Sequence, residues 1–324
     1  MTIRYNSSHN WYLIDKSGNR LTDRVFDYAK WLRKDRICIR NGDRWGLYDL
    51  CADRILLDPQ FEELREFDID DVGIAMSDGK WGMLQPDGHR IGEWNLDYLG
   101  FMSCGLAIGQ IGDKHGYVDA CGNWQIPCVF RFAEPFFEER AVCSDGTGRW
   151  RYIDLTGAQV GKATYVKANS FSEGRAFVRA EDFSGLIDPD LRVICHLAFD
   201  KVFSFREGLA TYCLDVESNR HGFIGRNGQV AFPLVVDESD VFSEGFCAVK
   251  MDGKWGAINH HGDLVIPAEF DQIGRCGNGL VPVERDGKSG YVTKDGQTAI
   301  PLQFDIALPF RDGAAAVAIA KQVD

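Results

Sequence analysis

The feature that most constrains this chain is a repeat with a beat of 34 to 37 residues. Trp45-Gly46, Trp81-Gly82 and Trp255-Gly256 are its clearest anchors. His115-Gly116, Ser184-Gly185, His221-Gly222 and Ser289-Gly290 are weaker copies; Trp11-Tyr12 and Trp150-Arg151 keep the Trp and lose the Gly. Nine units, anchored near 11, 45, 81, 115, 150, 184, 221, 255 and 289, cover almost the whole chain. Seven residues past the anchor, Gly recurs as Gly18, Gly88, Gly122, Gly157, Gly228, Gly262 and Gly296. Further on come Pro127, Pro233, Pro267 and Pro301, then apolar-Asp pairs such as Phe26-Asp27, Phe270-Asp271 and Phe304-Asp305, then Gly again, as in Gly105, Gly174 and Gly245. Self-similarity at fixed offsets marks a stack of small units, none of which buries its apolar face alone. Residues 1–324 therefore read as one cooperative domain.

Each unit reads as short strands and turns. A strand such as Phe246-Cys247-Ala248-Val249 leads to a polar tip, Asp252-Gly253-Lys254, and returns as the anchor strand Trp255-Gly256-Ala257-Ile258. Two and three residues past the anchor every unit is apolar, as in Tyr117/Val118, Tyr152/Ile153 and Tyr291/Val292. Neighbours on a strand face opposite ways, so the anchor strand is expected to be covered on both sides. Asp119-Ala120-Cys121-Gly122 and Asp154-Leu155-Thr156-Gly157 put Asp first and Gly fourth, a type I turn signature. A third strand, as in Leu264-Val265-Ile266-Pro267, is expected to end at the Pro, which lacks a ladder donor. No window holds a 3.6-residue apolar period, so the class is all-β.

The runs Gly79-Lys80-Trp81-Gly82 and Gly253-Lys254-Trp255-Gly256, with Phe242-Ser243-Glu244-Gly245 and Val265-Ile266-Pro267-Ala268-Glu269-Phe270-Asp271, resemble the WG (KWG) repeats, a bacterial β-rich tandem-repeat family. The likeness covers roughly residues 9–324, strongest in units two, three, eight and nine and degenerate in units one, five and six. It implies a β-repeat architecture and an interaction role, and carries over no catalytic residue. The chain opens on an anchor strand, Trp11 to Asp15, and ends on a first strand, Gly313 to Ala320, so the two leftovers are complementary. Pairing them closes a propeller-like ring, which is favoured over an open β-solenoid; nine blades of about 35 residues is otherwise many and lean for a propeller.

The net charge of −12 (36 basic, 48 acidic residues) argues against non-specific nucleic-acid or anionic-membrane binding. No run approaches the about 18 apolar residues of a spanning helix, and Met1-Thr2-Ile3-Arg4-Tyr5-Asn6 has no secretory signal core. The ten cysteines form no Cys-x-x-Cys; they read as small buried hydrophobes and, without an export signal, suggest the cytoplasm. His115 and His221 read as structural substitutes in anchor slots, and His260-His261 as a solvated turn. No histidine spacing suits a metal. The Gly-rich run from Gly109 to Gly116 is a hairpin tip, lacking the helix N-terminus of a phosphate cradle. Trp31 and Trp124 lie outside the anchors, and an exposed Trp could stack on a sugar or a protein partner.

Acidic residues gather between units: Glu62, Glu63, Glu66, Asp68, Asp70 and Asp71 are the densest run, with Glu134, Glu138 and Glu139, and Asp237, Glu238, Asp240 and Glu244, at similar offsets. Those offsets put the acids on one rim, read either as a solvated face that keeps the chain soluble or as a surface that steers a basic partner. The reading is a non-catalytic interaction protein, binding a protein partner and no nucleic acid or membrane, with neither cofactor nor metal; an inhibitor, immunity-type or scaffold role is its concrete form. The alternative is a carbohydrate or small-ligand module using exposed aromatics or the ring centre.

Overall fold

The computed structural model describes residues 9–33, 36–65, 72–199, 201–213 and 220–321. These form nine antiparallel sheets and no helix. Each sheet is one blade of a ring, a nine-bladed β-propeller. Blade 2 shows the plan: a first strand Glu63–Arg65, a second Gly73–Ser77, the anchor strand Lys80–Leu84 and an outer strand Arg90–Leu96, paired in that order. Blades 1, 3, 5, 7 and 8 repeat it. In blades 4, 6 and 9 the outer strand shrinks to paired bridges, such as Trp150 with Tyr165 and His221 with Val236. A blade fits into about 35 residues because its first strand is as short as Gln272–Ile273. That strand, without room for any alternation, left no trace in the sequence pattern.

The ring closes as the leftover strands suggest. His9–Asp15 pairs antiparallel with Ala314–Ala320 over seven residues, Trp11 opposite Ala318 and Leu13 opposite Ala316. Blade 9 is thus built half from each end of the chain, and Ala314–Ala320 is an inner strand rather than an apolar edge.

The expectation of a doubly covered anchor strand holds in every unit. All eighteen residues two and three past the anchors are buried, from Leu13 and Ile14 at 0% and 2% exposure to Tyr291 and Val292 at 0% and 3%. They face opposite neighbours. Tyr117 packs with Ile153 of the next blade, Tyr152 with Ile187, Leu186 with Ile224, Phe223 with Ile258, and Tyr291 with Ile14 across the closure. The apolar cores therefore lie between blades, and a blade without neighbours would expose both faces to water.

The anchor Gly is required by close approach, not by its dihedral angles. At Gly256 a β-carbon would stand 2.5 Å from Ile266 O and 2.8 Å from Ala268 N, because the outer strand shifts register as it crosses there. The same overlap occurs at Gly46, Gly116, Gly185 and Gly290. The outer strand does not end at its Pro, contrary to the sequence expectation. Leu264–Phe270 and Thr298–Phe304 run through Pro267 and Pro301. An outermost strand at a register shift tolerates the missing N–H. Gly256→Ala is expected to cost about 1–3 kcal/mol by overpacking, read as a lower denaturation midpoint with unchanged slope.

The turn predictions hold. Asp119 accepts backbone N–H from Cys121 and Asn123, Asp154 from Thr156 and Ala158, and Gly122 and Gly157 sit at φ +81° and +83°. Paired positive φ angles at Asp252-Gly253 and Glu244-Gly245 mark type I′ hairpins.

Candidate interaction surfaces

Antiparallel strands send alternate connections to opposite ends of each blade, so the ring has two faces. One carries the links between blades and the tips joining second and anchor strands. The other carries the turns after the first strand and those after the anchor strand. The acidic offsets straddle the first strand, so the acids divide between the faces instead of forming one rim. This corrects the sequence expectation.

On the first face the apolar-Asp motif clips blades together. Asp97 accepts Lys80 Nζ of its own blade at 2.6 Å and Gly112 N of the next at 2.7 Å. Asp271 is held by Lys254 and by Asp286 N, and Asp305 by Lys288 and by Ala320 N of blade 9. The lysine bond is the main reason all three carboxyls lie below the usual carboxylate range. Glu62 fills this slot in unit two: Asp78 N and Gly79 N donate to it at 2.9 and 3.2 Å, and Arg44 pairs with it at 3.4 Å. It is engaged in the ring itself. Glu63 begins the first strand of blade 2, half-exposed. Glu66, Asp68, Asp70 and Asp71 lie outside the described residues.

The second face carries an arc of carboxylates. Gly174 N donates to Glu138, Gly208 N to Glu173 and Gly245 N to Glu207, each across one blade boundary at 2.8–3.1 Å. Glu244 continues the arc beside Lys294 at 3.2 Å, and His260 stands 3.1 Å from Glu207 and stacks on Phe242. His260 is thus part of a blade contact, not a bare solvated tip. Glu173 and Glu207 escaped the sequence reading; the recurrent Glu-Gly pair at the hairpin was the signal.

The strongly shifted groups belong to the packing between blades. Tyr117, Tyr152 and Tyr291 each donate a hydroxyl to a main-chain oxygen of the next blade: Glu134 O, Asn169 O and Leu308 O, at 2.7–2.8 Å. Burial drives their pKa values up. It also pushes the Cys143 thiol up to about 12 and raises Cys247. Cys38, Cys143, Cys213, Cys247 and Cys276 are buried as expected, whereas Cys51, Cys104 and Cys121 are exposed. Among the described residues no cluster of three His, Cys, Asp or Glu side chains could hold a metal.

His221 takes its anchor slot at 7% exposure, Nδ1 3.1 Å from Ser239 Oγ, its ring 5.5 Å from Phe203. Burial first, and Lys201 second, lower its pKa, against Glu238. The folded state therefore holds a neutral ring. Acidification through the unfolded value of about 6.5 protonates the unfolded chain first, so stability falls there and keeps falling down to the folded pKa. His221→Phe should remove that slope from a series of melting temperatures against pH. Trp124 is half-buried; its ring lies across Gly109 of its own blade, Cη2 standing 2.8 Å from where a β-carbon would be. Gly109 itself lies in the strand Leu106–Ile111, and the hairpin tip is Gly112. Trp31 pairs by main chain with Ile37.

The family model described as "WG containing repeat" matches residues 45–81, 150–182, 185–215, 222–255, 255–288 and 290–321. Units five and six, degenerate in their motifs, are matched, whereas residues 82–149, which hold most of unit three and all of unit four, are not. No curated protein sequence matches the chain. Among solved structures, a eukaryotic initiation factor superposes with a TM-score of 0.62 at 8% identity, over 90% of this chain and 95% of that one. BamB from Moraxella catarrhalis gives 0.46 at 13% identity over 92% and 98%. The dihydro-heme d1 dehydrogenase NirN gives 0.47 at 11% over 82% and 74%. Likeness at such identities is likeness of fold alone.

Proposed function

The chain belongs to the family of WG-containing repeats, and on that premise we propose that it is a non-catalytic binding propeller whose partner is a protein with a basic surface. The observation that carries this reading is the carboxylate arc of Glu138, Glu173, Glu207 and Glu244 on one face, in a chain of net charge −12. Carboxylates fixed by backbone donors are held in place before a partner arrives, so little side-chain entropy is lost on docking. The run Glu63, Glu66, Asp68, Asp70 and Asp71 is proposed as a further acidic contact. Glu62 belongs to that run in sequence and serves the ring first. Scaffold, inhibitor and immunity-type roles are all forms of this activity. A reducing, cytoplasmic setting suits ten cysteines without paired spacing.

Affinity purification from the native cell, with mass spectrometry at low and high salt, tests the proposal. A basic partner should be recovered at low salt and depleted at high salt, since exposed charge pairs are screened beyond about 10 Å at 0.1 M. Glu173→Lys should abolish recovery while leaving the melting temperature within a few degrees. A partner held equally at both salts, or by the variant, would remove the electrostatic basis of the reading.

A further inference from the structure

Among the joints that carry a turn Gly, one differs from the rest. At six joints an outer-strand side chain presses against the turn Gly of the next blade. A β-carbon at Gly88, Gly157, Gly228, Gly262, Gly296 or Gly18 would stand 2.2–3.5 Å from Leu57, Ile126, Cys195, Phe232, Pro267 or Ile300. Between blades 2 and 3, Gly122 meets only main-chain atoms, Gly92 Cα at 3.8 Å and Ile91 O at 4.0 Å. The joint is left open as a cleft of about 380 Å³.

Blade 3 is altered to match. The residue opposite the one after the anchor carries a side chain in every other blade: Ile39, Ala75, Cys143, Val178, Tyr212, Val249, Val283 and Val317. In blade 3 it is Gly109, and Trp124 occupies the vacated space. Trp124 pairs with Val118, whose side chain faces blade 2. The indole therefore forms one wall of the cleft, above a floor that includes Met83 and Val118. The Trp124 indole N–H has no protein partner among the described residues, whereas that of Trp94 donates to Met83 O.

The rim is rich in acceptors. Asn95 donates its amide N–H to Glu93 at 3.2 Å, and Asn123 donates to Asp119 at 3.5 Å. Each amide oxygen then remains to receive a donor, beside the Glu93 carboxylate. A flat apolar wall and floor, one N–H donor and a ring of acceptors suit a ligand with a C–H face and hydroxyls around its edge. A cation would gain one exposed carboxylate and lose solvation over the apolar floor. The volume lies near the small end of the ~300–1,000 Å³ span of ligand pockets, room for one ring rather than a long chain.

We infer that the cleft between blades 2 and 3 is a saccharide-binding site, with Trp124 the stacking platform and Asn95 and Asn123 the hydroxyl acceptors. It is separate from the acidic arc and independent of the protein-binding reading. The test titrates the full chain with glucose, galactose, N-acetylglucosamine and cellobiose. Intrinsic fluorescence is followed, and alkylation of Cys121, an exposed thiol lining the cleft, is followed by peptide mass spectrometry. At least one sugar should give saturable quenching and protect Cys121. Trp124→Leu should weaken binding about tenfold, and Trp124→Tyr should restore part of it. Asn95→Ala, a change at an exposed rim, should weaken binding without altering the melting temperature. Tighter binding of cellobiose than glucose identifies a glycan end as the source; equal binding identifies the free sugar. Failure of all four sugars to quench or protect, wild-type affinity in both Trp124→Leu and Asn95→Ala, or protection by choline and not by sugar would overturn the inference.

Discussion

Removing residues 314–324 should abolish the cooperative unfolding transition of the whole chain, not merely fray one end. Ala314–Ala318 are almost wholly buried, and their strand joins His9–Asp15 to Ile306–Ala307 in blade 9. Without it the cluster around Trp11, Leu13 and Ala316 and the cluster around Ile14, Tyr291 and Val317 both open to water. Two unpaired strand edges then face solvent, which favours aggregation. Because the deletion could simply prevent expression, Ala316→Asp makes the same point in a folded background. A lone carboxylate buried between blades 9 and 1 should cost about 3 kcal/mol or more. The same change at Ala257 in mid-chain should cost a similar amount, since both sites are buried to the same degree. An open stack would tolerate the terminal change far better than the central one.

The second large effect is expected at Tyr152. Its ring is fully buried, 4.9 Å from Phe171 and 5.9 Å from Tyr165, both beyond its own anchor strand, and its hydroxyl donates to Asn169 O at 2.7 Å. Asn169 in turn donates to Val202 O of the following blade at 2.8 Å, so one side chain begins a relay across three blades. Tyr152→Ala should cost about 3–5 kcal/mol through the cavity it leaves. Tyr152→Phe keeps the packing and strands one buried carbonyl, for about 1 kcal/mol. Denaturation midpoints for the pair separate the two contributions. Equal losses would mean that the hydroxyl, not the ring, carries the joint.

Much of this architecture was legible because it is written in side chains at fixed offsets. Two adjacent apolar residues after each anchor announce a strand buried on both faces, and the structure places one toward each neighbouring blade. The mismatched ends announced closure. What escaped was whatever leaves no side-chain signature. The first strand of each blade is two or three residues long in most blades, too short for alternation to register. Proline at Pro267 reads as a stop until one sees that its strand is outermost and needs no inward donor. The two faces could not be told apart by offset alone, because Glu62 and Glu138 sit on either side of an unrecognised strand. The open cleft depends on absences, at Gly92, Gly109 and Gly122, which become visible only when nine joints are compared in space.

The central claim is a closed ring in which both chain ends are interior strands of blade 9. Amide hydrogen exchange measured residue by residue tests it most directly. The ring predicts that Leu13, Ile14 and Ala315–Val317 exchange as slowly as Ala257 and Ile258 in blade 7, all through one global opening. Fast exchange at both ends, with protection rising gradually toward the middle blades, would contradict it.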